Sequence, residues 1–286
     1  MSLYSVSLNS PEFNADSVIY YNKTYFKGAL LGSLREKVLA NASGPKARYP
    51  RFESYDKKVF LKNLFPSIDY EGGFGVQGAR FVGAGSEEEL ASVYIKKKDT
   101  VKMRADARAF VVREDRIQSS ITGVTIYLET DSIFHPAVSF KFLNEKRELT
   151  LLRTEKGISA SPFFNSYHKL DMYFEWLKWI IDTDKMEMSA IVGTDVGKGY
   201  FESTNYYDEG KFLELQGISD VHPLIRVRNF VNDQNYWDRQ FTDVDFQRAV
   251  NLSKDQTQRL LIRMNNLGFV IYDITNGKVR VNDRAF

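Results

Sequence analysis

The stretch TDVDFQRAVNLSKDQTQRLLIRMNNLGFVIYDITNGKVRVNDRAF, residues 242–286, decides how this chain is read. A helix-length run from Thr242 to Asn251 is followed by Leu252-Ser253-Lys254-Asp255, where Ser253 suits an N-cap and Asp255 a first helical turn. Leu260, Leu261, Met264 and Leu267 recur at helical spacing, and Gly268 stands where a left-handed cap closes a helix. Phe269-Val270-Ile271-Tyr272 and Lys278-Val279-Arg280-Val281 then read as strands around Asn276-Gly277, which predicts a type I′ hairpin. Upstream, His222-Pro223 predicts the start of another helix, Leu224 to Phe230.

This order of helices and hairpin resembles the winged-helix (winged helix-turn-helix) superfamily over the C-terminal module, drawn at 219–286. In DNA-binding members the second helix of the pair enters the major groove and the hairpin touches the backbone. The resemblance therefore implies nucleic-acid contacts by Lys254, Gln256, Gln258, Arg259 and Arg263 on the helix and Lys278 and Arg280 on the hairpin. From Trp237 to Phe286, however, eight basic residues face six acidic ones, too small an excess for a dedicated duplex binder. Winged helices also serve as docking or spacer modules, and the near-neutral surface fits that use.

The remaining residues, 10–218, read as a β-rich body. The chain of 286 residues with 43% hydrophobic content can bury a sizeable core. Its 39 Lys and Arg nearly balance 37 Asp and Glu, so any polyanion must be met by a local patch. Abundant Phe (21) and Tyr (16) suit strands better than helical bundles. No cysteine is present, which removes disulfides, thiol nucleophiles and thiolate metal sites while leaving the compartment open. The N-terminus lacks the pattern of a secretory signal and no window has the length of a membrane span, so membrane insertion is not expected.

Strand-like text runs over Ala91–Ile95, Val101–Val112, Ile117–Glu129 and Ala137–Leu152. Ala29–Leu39 reads as a glycine-weakened amphipathic helix. Ser166–Asp182 reads as a stronger one, with Tyr167, Leu170, Tyr173, Phe174, Leu177, Ile180 and Ile181 on one stripe. The echo of Asp16-Ser17-Val18-Ile19 in Asp131-Ser132-Ile133-Phe134 suggests a solenoid as a minority arrangement, while a mixed or antiparallel sheet explains the same strands.

Motifs that carry chemistry elsewhere lack their context here. Gly73-Phe74-Gly75-Val76-Gln77-Gly78 matches a dinucleotide fingerprint without a following helix, and Gly193 to Gly199 falls one residue short of a phosphate loop. His135, His168 and His222 share no ligand spacing, so no metal is expected. His168, Asp171 and Glu175 would share a helical face; such a cluster can bind a metal or share protons, but a polar stripe opposite an apolar one reads first as a solvated helix face. Lys96, Lys97, Lys98, Lys102, Arg104 and Arg108 line one side of a strand, where they protect a sheet edge or, as the lesser reading, meet a phosphate or sulfated polymer, with Glu87-Glu88-Glu89 nearby partly cancelling the field.

The expectation is an α+β fold: a β-rich body with a packed helix at 166–182 and a C-terminal winged-helix module. The expected role is non-enzymatic, structural or in protein interaction within a larger parent, with no catalytic residue and no cofactor. The partner is a protein or neighbouring domains of that parent. Nucleic-acid binding through the C-terminal module is the first alternative, and a glycan-binding or hydrolytic cleft in the body the second.

Overall fold

The computed structural model describes residues 4–6, 12–22, 28–37, 47–78, 80–85, 89–154, 156–190, 199–216 and 221–286. The fold is α+β and β-rich. It forms two compact units whose ranges alternate along the sequence: unit 1 is 1–122, 139–150 and 178–186, and unit 2 is 123–138, 151–177 and 187–286. The division thus differs from a cut at residue 218, and the C-terminal helices share their unit with strands from the middle of the chain.

Unit 1 begins with β1 (Tyr4–Val6), β2 (Glu12–Tyr21), β3 (Ala29–Lys37), β4 (Arg51–Ser54) and β5 (Val59–Phe65). It continues through β6 (Ile68–Gln77), β7 (Arg80–Ala84), β8 (Ala91–Lys97), β9 (Thr100–Ala107) and β10 (Ala109–Val112). Strand β6 belongs to two antiparallel ladders. Its first half pairs with β5 and β8, and its second half with β4 and β7. The second ladder extends as β1, β2, β3, β4, β6, β7 and β10. The switch between ladders falls at Gly72, whose φ of 153° and whose absent Cβ, 2.6 Å from Tyr70 Oη if built, both require glycine. Phe52, Tyr70, Phe74 and Phe81 are buried on one face, with Phe74 and Phe81 stacked 4.6 Å apart.

Ala29–Lys37 is a strand rather than a helix, because cross-strand pairing with β2 and β4 on its two sides outweighs a weak helical period broken by Gly32. Residues 38 and 39 of that predicted helix, residues 193–198 of the phosphate-loop look-alike, and Glu87 and Glu88 lie outside the described residues.

The chain continues through β11 (Arg116–Leu128), β12 (Asp131–Leu143), β13 (Glu148–Leu152), β14 (Phe163–Asn165), β15 (Leu170–Tyr173), β16 (Trp176–Ile180), β17 (Met186–Ser189) and β18 (Tyr200–Ser203). In unit 2, β12, β14, β15 and β18 pair antiparallel in that order. The predicted helix at 166–182 is therefore replaced by a turn and two strands. Asn165 Oδ1 accepts the His168 N–H (3.1 Å) and Lys169 adopts φ 51°, which ends β14 before any helix can start. Beyond the turn, Leu177 and Trp179 are buried with period two, and the stripe of aromatic and β-branched residues serves a sheet face. His168, Asp171 and Glu175 accordingly share no helical face. These antiparallel pairings are those of hairpins and meanders, not the parallel coils of a solenoid.

The C-terminal part of unit 2 holds α1 (Glu209–Gln216), α2 (Pro223–Asp233), β19 (Gln240–Thr242), α3 (Asp243–Val250), α4 (Lys254–Asn266), β20 (Val270–Asp273) and β21 (Lys278–Val281). Each boundary has a local cause. Pro223 opens α2 behind the His222 cap, Thr242 caps α3, and Ser253 with Gln256 forms a capping box on α4. The hairpin corrects the type I′ expectation: the loop between paired Asp273 and Lys278 covers 274–277, and of Asn276 and Gly277 only Gly277 (φ 69°) is left-handed. Asp273 stabilises this loop by accepting the Thr275 N–H at 3.0 Å and the Asn276 amide at 2.7 Å. The core joins Leu224, Val227 and Phe230 of α2 to Phe241, Phe246, Leu261, Met264, Tyr272 and Val279.

Candidate functional site

Trp237 is 90% exposed, an unusual state for the side chain with the largest apolar area. It sits between α2 and β19, in a connection where Asn235 and Arg239 both take φ 55°. For an arginine that conformation is uncommon and needs support from its surroundings. Arg239 N–H donates to Tyr236 O at 2.9 Å, and its own carbonyl accepts the Val281 N–H at 3.0 Å. Its guanidinium lies 4.3 Å from the Phe286 ring centroid and pairs with Asp283. The loop that presents the indole is thereby fixed on both sides.

Trp237 borders a cleft of about 450 Å3 within unit 2. One wall includes Ile271 and Arg280, cross-strand partners on β20 and β21. The other includes Asn165, Ser166 and Lys169 from the turn after β14. Among the described residues neither Lys169 nor Arg280 has an ion-pair partner, so two uncommitted cations flank an exposed indole.

The residues implied by the winged-helix resemblance do not form one free surface. Gln256 Oε1 accepts the Ser253 N–H at 2.9 Å and is spent on the capping box. Arg263 donates to the Glu214 carbonyl at the end of α1. Gln258 hydrogen-bonds toward Tyr272, whose hydroxyl also donates to Asp243 Oδ2 at 2.7 Å and whose pKa burial pushes up. Lys254, Arg259, Lys278 and Arg280 remain exposed and, among the described residues, without ion pairs. Arg280 alone also lines the cleft below Trp237.

Beneath the cleft lies a buried charge network. Arg284, 1% exposed, donates to Asp171 Oδ2 at 2.6 Å and also meets Glu202, which Lys211 reaches at 2.7 Å. Arg284 further donates to the carbonyls of Ser203 (2.8 Å) and Thr204 (3.1 Å). Burial pushes the Asp171 carboxyl up to about 6, against the opposing pull of Arg284. Asp171 Oδ1 has no hydrogen-bond partner. The network fastens the C-terminal segment onto β15 and β18, with Asp171 buried against the cleft.

A second fastening joins α4 to the loop before β14. Asn265 donates to Ser161 Oγ and accepts the Tyr272 N–H at 2.7 Å, and Ser161 Oγ donates to Asn266 Oδ1 at 2.9 Å. His135 is fully buried beside it. Its Nε2 donates to Ser161 O (2.9 Å) and its Nδ1 accepts the Ala137 N–H (3.0 Å), so burial holds the imidazole neutral with a pKa lowered to about 3.

The other sequence motifs find plain structural places. Gly73 to Gln77 run inside β6, with no helix after them, so the dinucleotide match has no phosphate cradle. Lys96 pairs with Asp69 at 2.7 Å, Lys97 with Asp184, and Arg104 with Asp106 at 2.8 Å, which removes these members of the basic strand from any free patch. Among the described residues no group of three or more His, Asp or Glu is gathered to hold a metal, and no helix is long and apolar enough to cross a membrane. Trp237 and the Arg284 network went unread in the sequence, because an exposed Trp and a buried Arg look alike without their neighbours. Comparison with known proteins finds no matching family model, no matching curated protein and no matching solved structure.

Proposed function

We propose that residues 219–286 form a winged-helix module that works in protein interaction, non-enzymatically, with Trp237 and the cleft beside it as the contact surface. The order of α2, β19, α3, α4, β20 and β21 supports the winged-helix reading. The observation that carries the interaction reading is Trp237 itself, 90% exposed on a loop fixed by Arg239. Trp and Arg dominate binding energy at interfaces, and a side chain already held in place loses little entropy on binding. The commitment of Gln256 and Arg263 to contacts within the chain argues against α4 as a groove reader.

Fluorescence anisotropy with duplex DNA at about 50 and 200 mM salt separates this reading from duplex recognition. The interaction reading predicts that Lys254→Ala/Arg259→Ala leaves any signal unchanged. Salt-sensitive binding abolished by that double variant would assign the module to DNA instead.

A further inference from the structure

The register of unit 1 brings four arginines onto one face, two of them directly opposite one another. Arg35 of β3 faces Arg51 of β4, Arg51 faces Gln77 of β6, and Gln77 faces Arg80 of β7. Val112 of β10 pairs with Phe81, so the next residue, Arg113, falls beside Arg80. Opposed like charges destabilise a sheet, and a guanidinium does not lose its charge. Among the described residues none of these arginines has an ion pair. The Nε atoms of Arg80 and Arg113 are buried without any acceptor. Glu12 and Glu53 on this face already bind Lys37 and Lys57, and Asp115, whose carboxyl feels the charge of Arg113, pairs with Arg116 at 2.6 Å.

Arg35 and Arg51 line a groove of about 280 Å3 together with Gly73, Gly75 and Gln77. Glycine at these positions lets neighbouring strands approach closely: a Cβ would meet Ala84 O at 2.6 Å on Gly73, and Phe52 O and Val82 O at 3.3 Å on Gly75. On the opposite face Phe52, Phe74 and Phe81 are buried, which keeps the strands beneath the row rigid. At strand spacings of about 4.8 Å, Arg35 to Arg113 covers about 19 Å, the reach of a few successive anionic groups on a linear polymer.

The same face carries an exposed apolar end. Ile19 (59% exposed) faces Leu31 (50%) across β2 and β3, Tyr21 (72%) is two residues along, and the Tyr55 (49%) N–H donates to Leu31 O at 3.0 Å. We propose that this sheet face binds single-stranded nucleic acid, with phosphates along Arg35, Arg51, Arg80 and Arg113 and bases laid over Tyr55 and its apolar neighbours. A basic track beside exposed rings is the usual equipment for unpaired strands, whose bases present free π faces. A sulfated glycan or an acidic peptide would meet the arginines and leave the ring end without a role. The site lies wholly in unit 1 and does not depend on the function proposed for the C-terminal module.

The test is anisotropy of the full chain with a fluorescein-labelled oligo-dT of about 20 nucleotides. Four phosphate contacts on a single strand predict about 50-fold weaker binding at about 200 mM than at about 50 mM salt. Arg35→Gln/Arg51→Gln, and independently Arg80→Gln, should weaken binding about tenfold or more and flatten the salt dependence. Their melting temperatures should stay level or rise, since repulsion is relieved, so lost binding will not reflect unfolding. Tyr55→Ala should weaken oligo-dT about fivefold or more and leave heparin binding unchanged. No binding at low salt, or loss only in Lys254→Ala/Arg259→Ala, overturns the site. Heparin or polyglutamate binding as tightly as oligo-dT, with Tyr55→Ala without effect on the latter, overturns the nucleic-acid assignment.

Discussion

Arg284 and Asp171 form an ion pair 2.6 Å apart with side-chain exposures of 1% and 0%, joining the end of the chain to a strand more than a hundred residues earlier. Removing one partner leaves the other charged and dry. Arg284→Met should therefore cost about 3 to 5 kcal/mol of unfolding free energy, read from the urea midpoint. Arg284→Met/Asp171→Gln should recover part of that loss. Equal stability of Arg284→Met and the parent would mean that the pair is not buried as described.

Two buried titratable groups of unit 2, His135 and Asp171, act in opposite directions with pH. His135, lowered to about 3, binds its proton mainly in the unfolded chain, so its contribution is complete above about pH 6.5 and is lost as pH falls toward 3. Asp171, raised to about 6, binds its proton preferentially in the folded chain, so its contribution favours folding at low pH and is lost as pH rises through about 4 to 6. Stability curves of His135→Gln should be flatter than the parent below pH 6.5. Those of Asp171→Asn should lack the decline between pH 4 and 6. Superimposable pH profiles for variants and parent would refute both assignments.

At the start of α4, Ser253 and Gln256 exchange hydrogen bonds, 3.3 Å from Gln256 N to Ser253 Oγ and 2.9 Å in the other direction. Ser253→Ala should destabilise by about 1 kcal/mol in chemical denaturation. Gln256→Ala should cost a similar or smaller amount while leaving any DNA affinity unchanged, which separates a capping residue from a base reader.

Gly72→Ala should destabilise unit 1 by about 2 kcal/mol or more, because the new Cβ meets Tyr70 Oη and Ala91 Cβ and its φ is unfavourable for alanine. Shortening the obstacle with Tyr70→Phe should recover only the steric part. Thermal melts of the single and double variants measure both components.

The C-terminal elements were legible because their causes are local. Ser253, Gly268, Pro223 and the apolar spacing of α4 each act within a few residues. The stretch 166–182 was misread for the converse reason: its aromatic stripe fits a helical period, yet the turn held by Asn165 and the partner strands β14 and β18 decide the outcome. The arginine row was invisible for a related reason. Arg35, Arg51, Arg80 and Arg113 are far apart in the chain, and only strand register brings them side by side. In the basic run that does stand out in the sequence, Lys96, Lys97 and Arg104 are neutralised by Asp69, Asp184 and Asp106.

The most direct measurement of the interaction reading is site-specific photo-crosslinking from position 237 in the full chain, under native expression, compared with the exposed position 259 on α4. The account predicts a discrete protein adduct from 237, identified by mass spectrometry, whose purified partner then binds the parent chain and loses at least about 2 kcal/mol of affinity to Trp237→Ala. A partner crosslinked from 259 and not 237, or one that binds Trp237→Ala as tightly as the parent, would contradict it.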